Sequence, residues 1–258
     1  MSRLRAKCPD CRTYTAVALG PEYQCHSCGR EFAAGLVRVP RAWGDGGEPM
    51  EQAAHLPLDY PEAAVVAEDS LADQNLALAA ELPDRPLVLG GCCCAHVGAV
   101  EGLAARHDRI ALVWLDAHGD LNTAESSSTG NAWGMPLRML IDAGTVSAEN
   151  VALVGARNLD VPEQDFIAAS RLHTGEGAVD RALENCSCVY VALDVDSLDP
   201  SEMTPFMPEP DGLRLDEVEA LFVELSDRTA VLGAGLTGLA PAEENVPRLH
   251  RLVGALGL

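Results

Sequence analysis

Ile110-Ala-Leu-Val-Trp-Leu-Asp-Ala-His-Gly-Asp120 decides how this chain is read. Its first six residues are apolar and rich in branched side chains, the pattern of a strand buried on both faces. Asp116, His118 and Asp120 then alternate, so in an extended segment they face one side. Buried parallel strands present such residues at the carboxyl edge of a sheet, where ligands bind. Two carboxylates and an imidazole gathered there are costly unless a cation joins them. A second stretch, Val189-Tyr-Val-Ala-Leu-Asp-Val-Asp196, repeats the design and ends in Asp194 and Asp196. A lone aspartate at a strand end is often a capping residue. Five ligand-type side chains on two strand ends point instead to a metal site, one for two divalent cations.

Outward from these strands, the chain alternates strand-like and helical patterns from Pro86 onward. Strands are expected at 87–91, 110–115, 151–155, 188–195 and 230–234, and helices at 95–107, 135–143, 162–170, 213–225 and 242–256, with a long polar loop at 119–132. This predicts an α/β fold with a mostly parallel sheet and helices on both faces. Residues 60–82 carry one more helical pattern.

The N-terminal stretch is of another kind. Cys8-Pro-Asp-Cys11 and Cys25-His-Ser-Cys28 are two CxxC knuckles thirteen residues apart, which predicts a small four-cysteine zinc ribbon over residues 1–40. So short a unit cannot fold on an apolar core alone, and metal ligation supplies the difference. His26 reads as a loop residue, since four thiolates already close the site. Basic residues (Arg3, Arg5, Lys7, Arg12, Arg30, Arg38) are few, and a structural or interaction role is the reading adopted. Val39–Pro49, rich in Gly and Pro, reads as a linker to a main domain over 41–258, with Trp43 packing between the modules. A net charge of −21 argues against nucleic-acid or anionic-membrane partners. No apolar run reaches the ~18 residues of a membrane helix, and no signal-peptide core is present. The nine cysteines are then expected reduced or metal-bound, and the protein cytoplasmic.

Asp116-Ala-His-Gly-Asp120 and Leu193-Asp-Val-Asp-Ser-Leu-Asp-Pro200 together resemble the two metal motifs of the ureohydrolase superfamily of arginases, agmatinases and formiminoglutamases. Leu121-Asn-Thr123 and Thr129-Gly-Asn-Ala-Trp-Gly-Met-Pro136 resemble that family's substrate loop, and the resemblance runs from about Pro86 to the C-terminus. It implies a three-layer arginase-like fold, two divalent cations (manganese first, zinc or iron otherwise), a small-molecule substrate, and a trimeric or hexameric homo-oligomer. It also implies bridging by Asp116 and Asp194. His118 and Asp196 complete one cation, and Asp120 with a further ligand completes the other. Asp120 doubles as the catalytic proton carrier for an attacking water. Asn122, Thr129, Asn131 and Asp160 match positions that read the amino-acid end of a substrate.

The departures are as informative. In Gly90-Gly-Cys-Cys-Cys-Ala-His96, Cys92 stands where the family has Asp, and Cys93 takes the ligand position usually held by His. A thiolate there shifts preference from manganese towards zinc or iron. His96, one helical turn on, is the alternative ligand. Asn158 replaces an acidic residue. Trp133 stands where arginases place a proton-shuttling His, and Gly238 where a Glu clamps the guanidinium. Glu243 and Glu244, nearby, read as an acidic first helical turn. The expectation is a hydrolase of a non-peptide C–N bond in a small guanidino, amidine or formimino compound other than arginine. The alternative is a catalytically diverged metal-binding member acting as an interaction or regulatory protein.

Overall fold

A computed structural model describes residues 5, 6, 8, 11, 13, 15–19, 22–33 and 35–258. Arg3, Lys7 and Arg12, among the basic residues noted above, lie outside the described residues. Strands β1 (Arg5–Ala6), β2 (Ala16–Leu19), β3 (Glu22–Cys25) and β4 (Glu31–Ala33) form an antiparallel sheet in that order. Eight more strands follow: β5 (Leu36–Val39), β6 (Glu62–Val65), β7 (Leu87–Gly90), β8 (Ile110–Leu115), β9 (Val151–Val154), β10 (His173–Thr174), β11 (Cys188–Asp194) and β12 (Ala230–Thr237). They build one sheet, ordered β10-β9-β8-β11-β12-β7-β5-β6, in which each neighbouring pair is parallel.

Helices α1 (Glu48–Ala53), α2 (Leu71–Glu81), α3 (Ala95–Ala104), α4 (Pro136–Asp142), α5 (Val161–Ala169), α6 (Ala178–Leu183), α7 (Leu215–Arg228) and α8 (Asn245–Ala255) cover the sheet. Because strand side chains alternate, one sheet feeds two cores. Leu89, Val113, Leu115, Val191 and Leu193 pack with Phe222 of α7 and Leu249 and Leu252 of α8. Val88, Leu112, Trp114 and Tyr190 pack with Leu78 of α2, Leu103 of α3 and Leu137 of α4. The result is the expected three-layer α/β fold. At the centre, β8 and β11 run in register from Ile110 beside Cys188 to Leu115 beside Leu193, so their acidic ends leave the sheet at one level.

The N-terminal half differs from expectation in three respects. β5 pairs with β7 and β6 in the large sheet, so the boundary expected at residue 40 falls before Leu36. Its three aliphatic side chains are fully buried, which explains why it sides with the larger core. Residues 60–66, expected to be helical, hold the edge strand β6. The Gly/Pro-rich stretch after β5 is a strap lying against the body of the domain. Gly91 sits so close beneath it that a Cβ there would be 2.4 Å from the Pro40 carbonyl oxygen. Trp43 donates from Nε1 to Gln74 of α2 (3.0 Å), and so packs on the main domain, not between modules. Among the described residues no helix is long and apolar enough to cross a membrane.

Candidate metal centre

The carboxyl ends of β7, β8, β11 and β12, four adjacent strands, converge on one pocket. Asp116 continues β8. Its Oδ1 accepts from the His118 backbone N–H (2.7 Å) and its Oδ2 from Trp114 Nε1 (3.2 Å). Asp196 Oδ1 accepts from the Ala117 N–H (3.0 Å), and Asp194 Oδ1 from the Asp196 N–H (2.9 Å). Each carboxylate thus has one oxygen tied to the backbone, which fixes where the other points. Asp120 adopts φ 53, a left-handed conformation that an aspartate tolerates better than most residues. Glu163 holds that turn by accepting from the Leu121 N–H (3.0 Å).

Two sets of ligand atoms, each within 4.8 Å of one another, result: Cys93, Asp116 and Asp120, and Asp116, His118 and Asp196. Asp116 belongs to both. Asp194 joins the first set through Cys93, whose Sγ lies 2.8 Å from Asp194 Oδ2 and 3.9 Å from Asp116 Oδ2. His118 Nδ1 lies 3.1 Å from Asp196 Oδ2 and 3.4 Å from Asp116 Oδ1. This crowding has an electrostatic signature. Burial, then repulsion from Asp116 and Asp194, pushes Asp120 well above the usual carboxylate range. Burial and Asp196 do the same to Asp194, and burial with Asp116 lifts Asp196 to about 6. Burial opposes the His118 cation, yet Asp116 and Asp196 outweigh it and hold the ring up to about 12. Asp120 Oδ2 is buried with no hydrogen-bond partner. An orphaned carboxylate oxygen among mutually repelling acids is a poor arrangement for protons and water alone. The donor set fits two divalent cations sharing Asp116.

The pocket above the cluster has a volume of about 210 Å³. Its lining includes the polar residues Asn122, Ser127, Thr129, Asn131 and Asp160 and the apolar or weakly polar Met50, Cys92, Trp133, Phe206 and Met207. Asn122 donates from Nδ2 to Asp160 Oδ2 (3.0 Å), which joins two of the expected substrate residues. Asn131 Oδ1 accepts from the Asp45 N–H of the strap (3.0 Å), so this side chain is occupied in holding that segment.

Residues 49–252 match the Arginase family. The chain belongs to the Arginase family. The arginase of Bacillus subtilis (strain 168) is 36% identical over 143 residues, 45% of this chain and 48% of that protein, so the match spans about half the relative's length. The native structure of the arginase from Bacillus caldovelox superposes with a TM-score of 0.74 at 24% identity, covering 86% of this chain and 97% of that one. The formimidoylglutamase of Bacillus subtilis superposes with a TM-score of 0.67 at 18% identity, over 86% and 85% of the two chains. The Arginase-family match begins well before Pro86, because α1, β6 and α2 belong to it as well.

For this member of the Arginase family, two departures read from sequence acquire a physical meaning. Gly238 has φ 67, and a Cβ there would lie 1.9 Å from Asp194 Oδ1. No side chain fits, so no carboxylate enters the pocket from this position. Trp133 meets Phe206 edge-on (6.3 Å, 78°), and a Cβ on Gly44 of the strap would be 2.4 Å from its ring. The indole is therefore wedged in an apolar corner. His96, the alternative ligand, does not join either set: its ring nitrogens face Tyr190 Oη (3.3 Å) and Thr237 Oγ1 (3.1 Å). It lies behind Thr237, on the far side of the sulfur.

Three contributors were not singled out in the sequence. Glu209 reaches within 3.6 Å of His118 Nε2 from the loop before α7. Glu163 joins the Asp120 turn to the start of α5, with its Oε2 accepting from the Asp160 N–H (2.9 Å). Arg157 donates to the carbonyls of Asp196 (2.8 Å) and Glu209 (2.7 Å), which pins the second acidic motif to the loop above it. A Pro just after the cap does mark the start of α5, and Glu163 stands at its capping-box position.

A second, separate cluster lies in the N-terminal sheet. The thiols of Cys8, Cys11, Cys25 and Cys28 fall within 4.8 Å of one another. The Cys8–Cys28 and Cys11–Cys25 sulfurs are 3.5 Å apart, with no disulfide between them.

Proposed function

We propose that this protein is a binuclear-metal hydrolase that cleaves a non-peptide C–N bond of a small guanidino, amidine or formimino compound, and that arginine is a poor substrate. Asp116, shared by both ligand sets beside the unpartnered Asp120 oxygen, is the observation that carries the reading. Cys93, Asp116, His118, Asp120, Asp194 and Asp196 would hold the cations. When bound, two such cations supply Lewis acidity and bring a shared water within reach of deprotonation at neutral pH. Asp120 faces the pocket, takes the proton from the attacking water and returns it to the departing amine. Asn122 and Asp160 orient the far end of the substrate, with Thr129 and Asn131 shaping the mouth. Trp133 and Phe206, packed edge to face, give the pocket an apolar lining that disfavours water.

The relatives are named arginase and formimidoylglutamase, so family membership leaves the substrate open. Arginine is disfavoured because a guanidinium here meets an indole and a bare glycine where a carboxylate would be needed. Leaving that cation unpaired costs on the order of several kcal/mol, while a π face returns about 0.5–2 kcal/mol. The same loss motivates the second reading, a diverged member whose metal site serves an interaction or regulatory role. Steady-state assays of metal-loaded protein with guanidino, formimino and ureido compounds decide between them. Release of amine, urea or formamide from one of these, with arginine far behind, is expected. Turnover of none supports the second reading, and efficient turnover of arginine overturns the substrate assignment.

The four N-terminal thiols form a structural zinc ribbon in this reading. Zn–S bonds of about 2.3 Å in a tetrahedron set neighbouring sulfurs near ~3.8 Å, close to the spacing here. The other proposed attributes are a cytoplasmic setting, a homo-oligomer of three or six chains, and no nucleic-acid or membrane partner.

A further inference from the structure

Arg157 and Asn158 hold two loops at once. Their backbone N–H groups both donate to the Ala117 carbonyl (2.8 and 2.9 Å), one residue before His118. Their side chains reach across to the loop of Glu209. The Arg157 guanidinium donates to the carbonyls of Gly155 (3.1 Å), Asp196 (2.8 Å), Ser197 (3.3 Å), Glu209 (2.7 Å) and Pro210 (2.8 Å). Asn158 donates from Nδ2 to Glu209 Oε1 (3.0 Å). Pro208 and Pro210 flank Glu209; the first has a fixed φ, and the second disfavours the helical region for the residue before it. The backbone and the carboxylate of Glu209 are thus both held, and by the same two residues that hold the turn after β8.

That carboxylate faces His118. The ring turns Nδ1 towards Asp196 Oδ2 (3.1 Å) and Asp116 Oδ1 (3.4 Å), and Nε2 towards Glu209 Oε1 (3.6 Å). A ring that binds a cation through Nδ1 carries its proton on Nε2, and that N–H needs an acceptor. Metal-bound imidazoles commonly give this second N–H to a carboxylate, which fixes the orientation of the ring. The separation here is that of an ion pair, and a movement of about 0.5 Å makes it a hydrogen bond. Glu209 stands outside the pocket lining, so it acts on the ring and not on a substrate.

We propose that Glu209, mounted on Arg157 and Asn158, is the positioning residue for the His118 half of the binuclear site: it accepts from the Nε2 N–H, keeps Nδ1 turned towards Asp116 and Asp196, and so sets how tightly the cation of that half is held. This rests on the binuclear reading above. It assigns to one loop carboxylate a role in one cation and none in the other, which Cys93, Asp116 and Asp120 gather without an imidazole.

Manganese and cobalt are the probes. Manganese suits the two carboxylates and one nitrogen of Asp116, Asp196 and His118, and is a poor match for the four N-terminal thiols. Full-length Glu209→Ala, titrated with Mn(II) and followed by the EPR signal of the free ion, should lose about 10- to 100-fold in affinity for one of two equivalents. Glu209→Gln keeps an acceptor oxygen and should recover most of that loss, while Asn158→Ala frees the carboxylate and should show part of it. With Co(II), His118 is the only imidazole in the candidate sets among the described residues, so the parent should give one hyperfine-shifted N–H proton resonance that vanishes in heavy water. Glu209→Ala should lose this resonance to solvent exchange, and Glu209→Gln should keep it; a residue that only stiffened the loop would leave it unchanged. A resonance and two affinities unchanged in Glu209→Ala overturn the proposal and leave the binuclear site standing. Equal weakening of both cations also overturns it, because the site as a whole has then loosened. Cobalt uptake by the parent confined to the N-terminal thiols, with no shifted N–H, overturns the proposal and the binuclear site together.

Discussion

Asp120 and Gly238 carry the sharpest consequences at the scale of single residues. Asp120→Asn keeps the size and removes the charge and the proton acceptor. Turnover of whichever compound proves to be the substrate should fall by about 100-fold or more, with metal content dropping below that of the parent; full activity in the variant would remove Asp120 from the mechanism. Gly238→Glu is the obvious attempt to rebuild an arginine clamp, and it should fail. Any Cβ at this left-handed position strikes Asp194, so the variant should lose bound metal in elemental analysis and gain no arginine turnover. A gain would mean that the β12 end can move aside and that the missing carboxylate alone sets substrate choice. Cys93 was legible as a candidate ligand only through its motif. The placement of His96 against Tyr190 and Thr237 was not, because a helical spacing of three residues says which face a ring shares and nothing of what stands between.

At the scale of elements, β5 is the piece that ties the two ends of the molecule's design together. A chain starting at Gly35 keeps β5 and should melt near the full-length temperature, since the small N-terminal core meets the main domain at Ala63. A chain starting at Arg41 loses Leu36, Val37 and Val39, each contributing about 1.5–3 kcal/mol by burial, against a total stability of about 5–15 kcal/mol. It also strands β6, which pairs only with β5 in the large sheet. Thermal melts of the two truncations test this, and equal melting temperatures would contradict it. The strands of the site are plain in sequence, because burial on both faces leaves β8 free of charged residues and β11 so up to its last residue, Asp194. β5 and β6 are not: one contains Arg38, buried only because it bonds Glu62 and two backbone carbonyls, and the other is a half-exposed edge. Composition likewise marks residues 40–47 as irregular and says nothing of where they lie, which three-dimensional contacts to Gly91, Asn131 and Trp133 decide.

For the whole molecule, the acidic cluster makes stability depend on pH in a way that cations reverse. The Asp196 carboxyl rises from 3.8 to about 6 on folding, mainly through burial. A raised pKa means that the folded state holds its proton more tightly, so this contribution is complete below pH 3.8 and lost as pH climbs through 6. Asp120 and Asp194 are raised further and extend the loss to higher pH. Metal-stripped protein should therefore be weakened at pH 7.5 relative to pH 5 by this cluster, on the order of a few kcal/mol. Added divalent cation, which binds the deprotonated ligands, should raise the melting temperature more at pH 7.5 than at pH 5. Calorimetry of stripped and reloaded protein at the two values checks the sign; an equal gain at both would show that the carboxylates are already ionised without metal.

The distances along the chain within the two clusters differ widely. Cys8 and Cys28 are 20 residues apart, so the four thiols belong to one short stretch of chain. Cys93 and Thr237 are 144 residues apart, and the pairing of β7 with β12 spans a similar length of chain. Closing so long a loop is slow. The central cluster is therefore assembled by contacts between distant parts of the chain, whereas the four thiols are brought together by contacts within one short stretch.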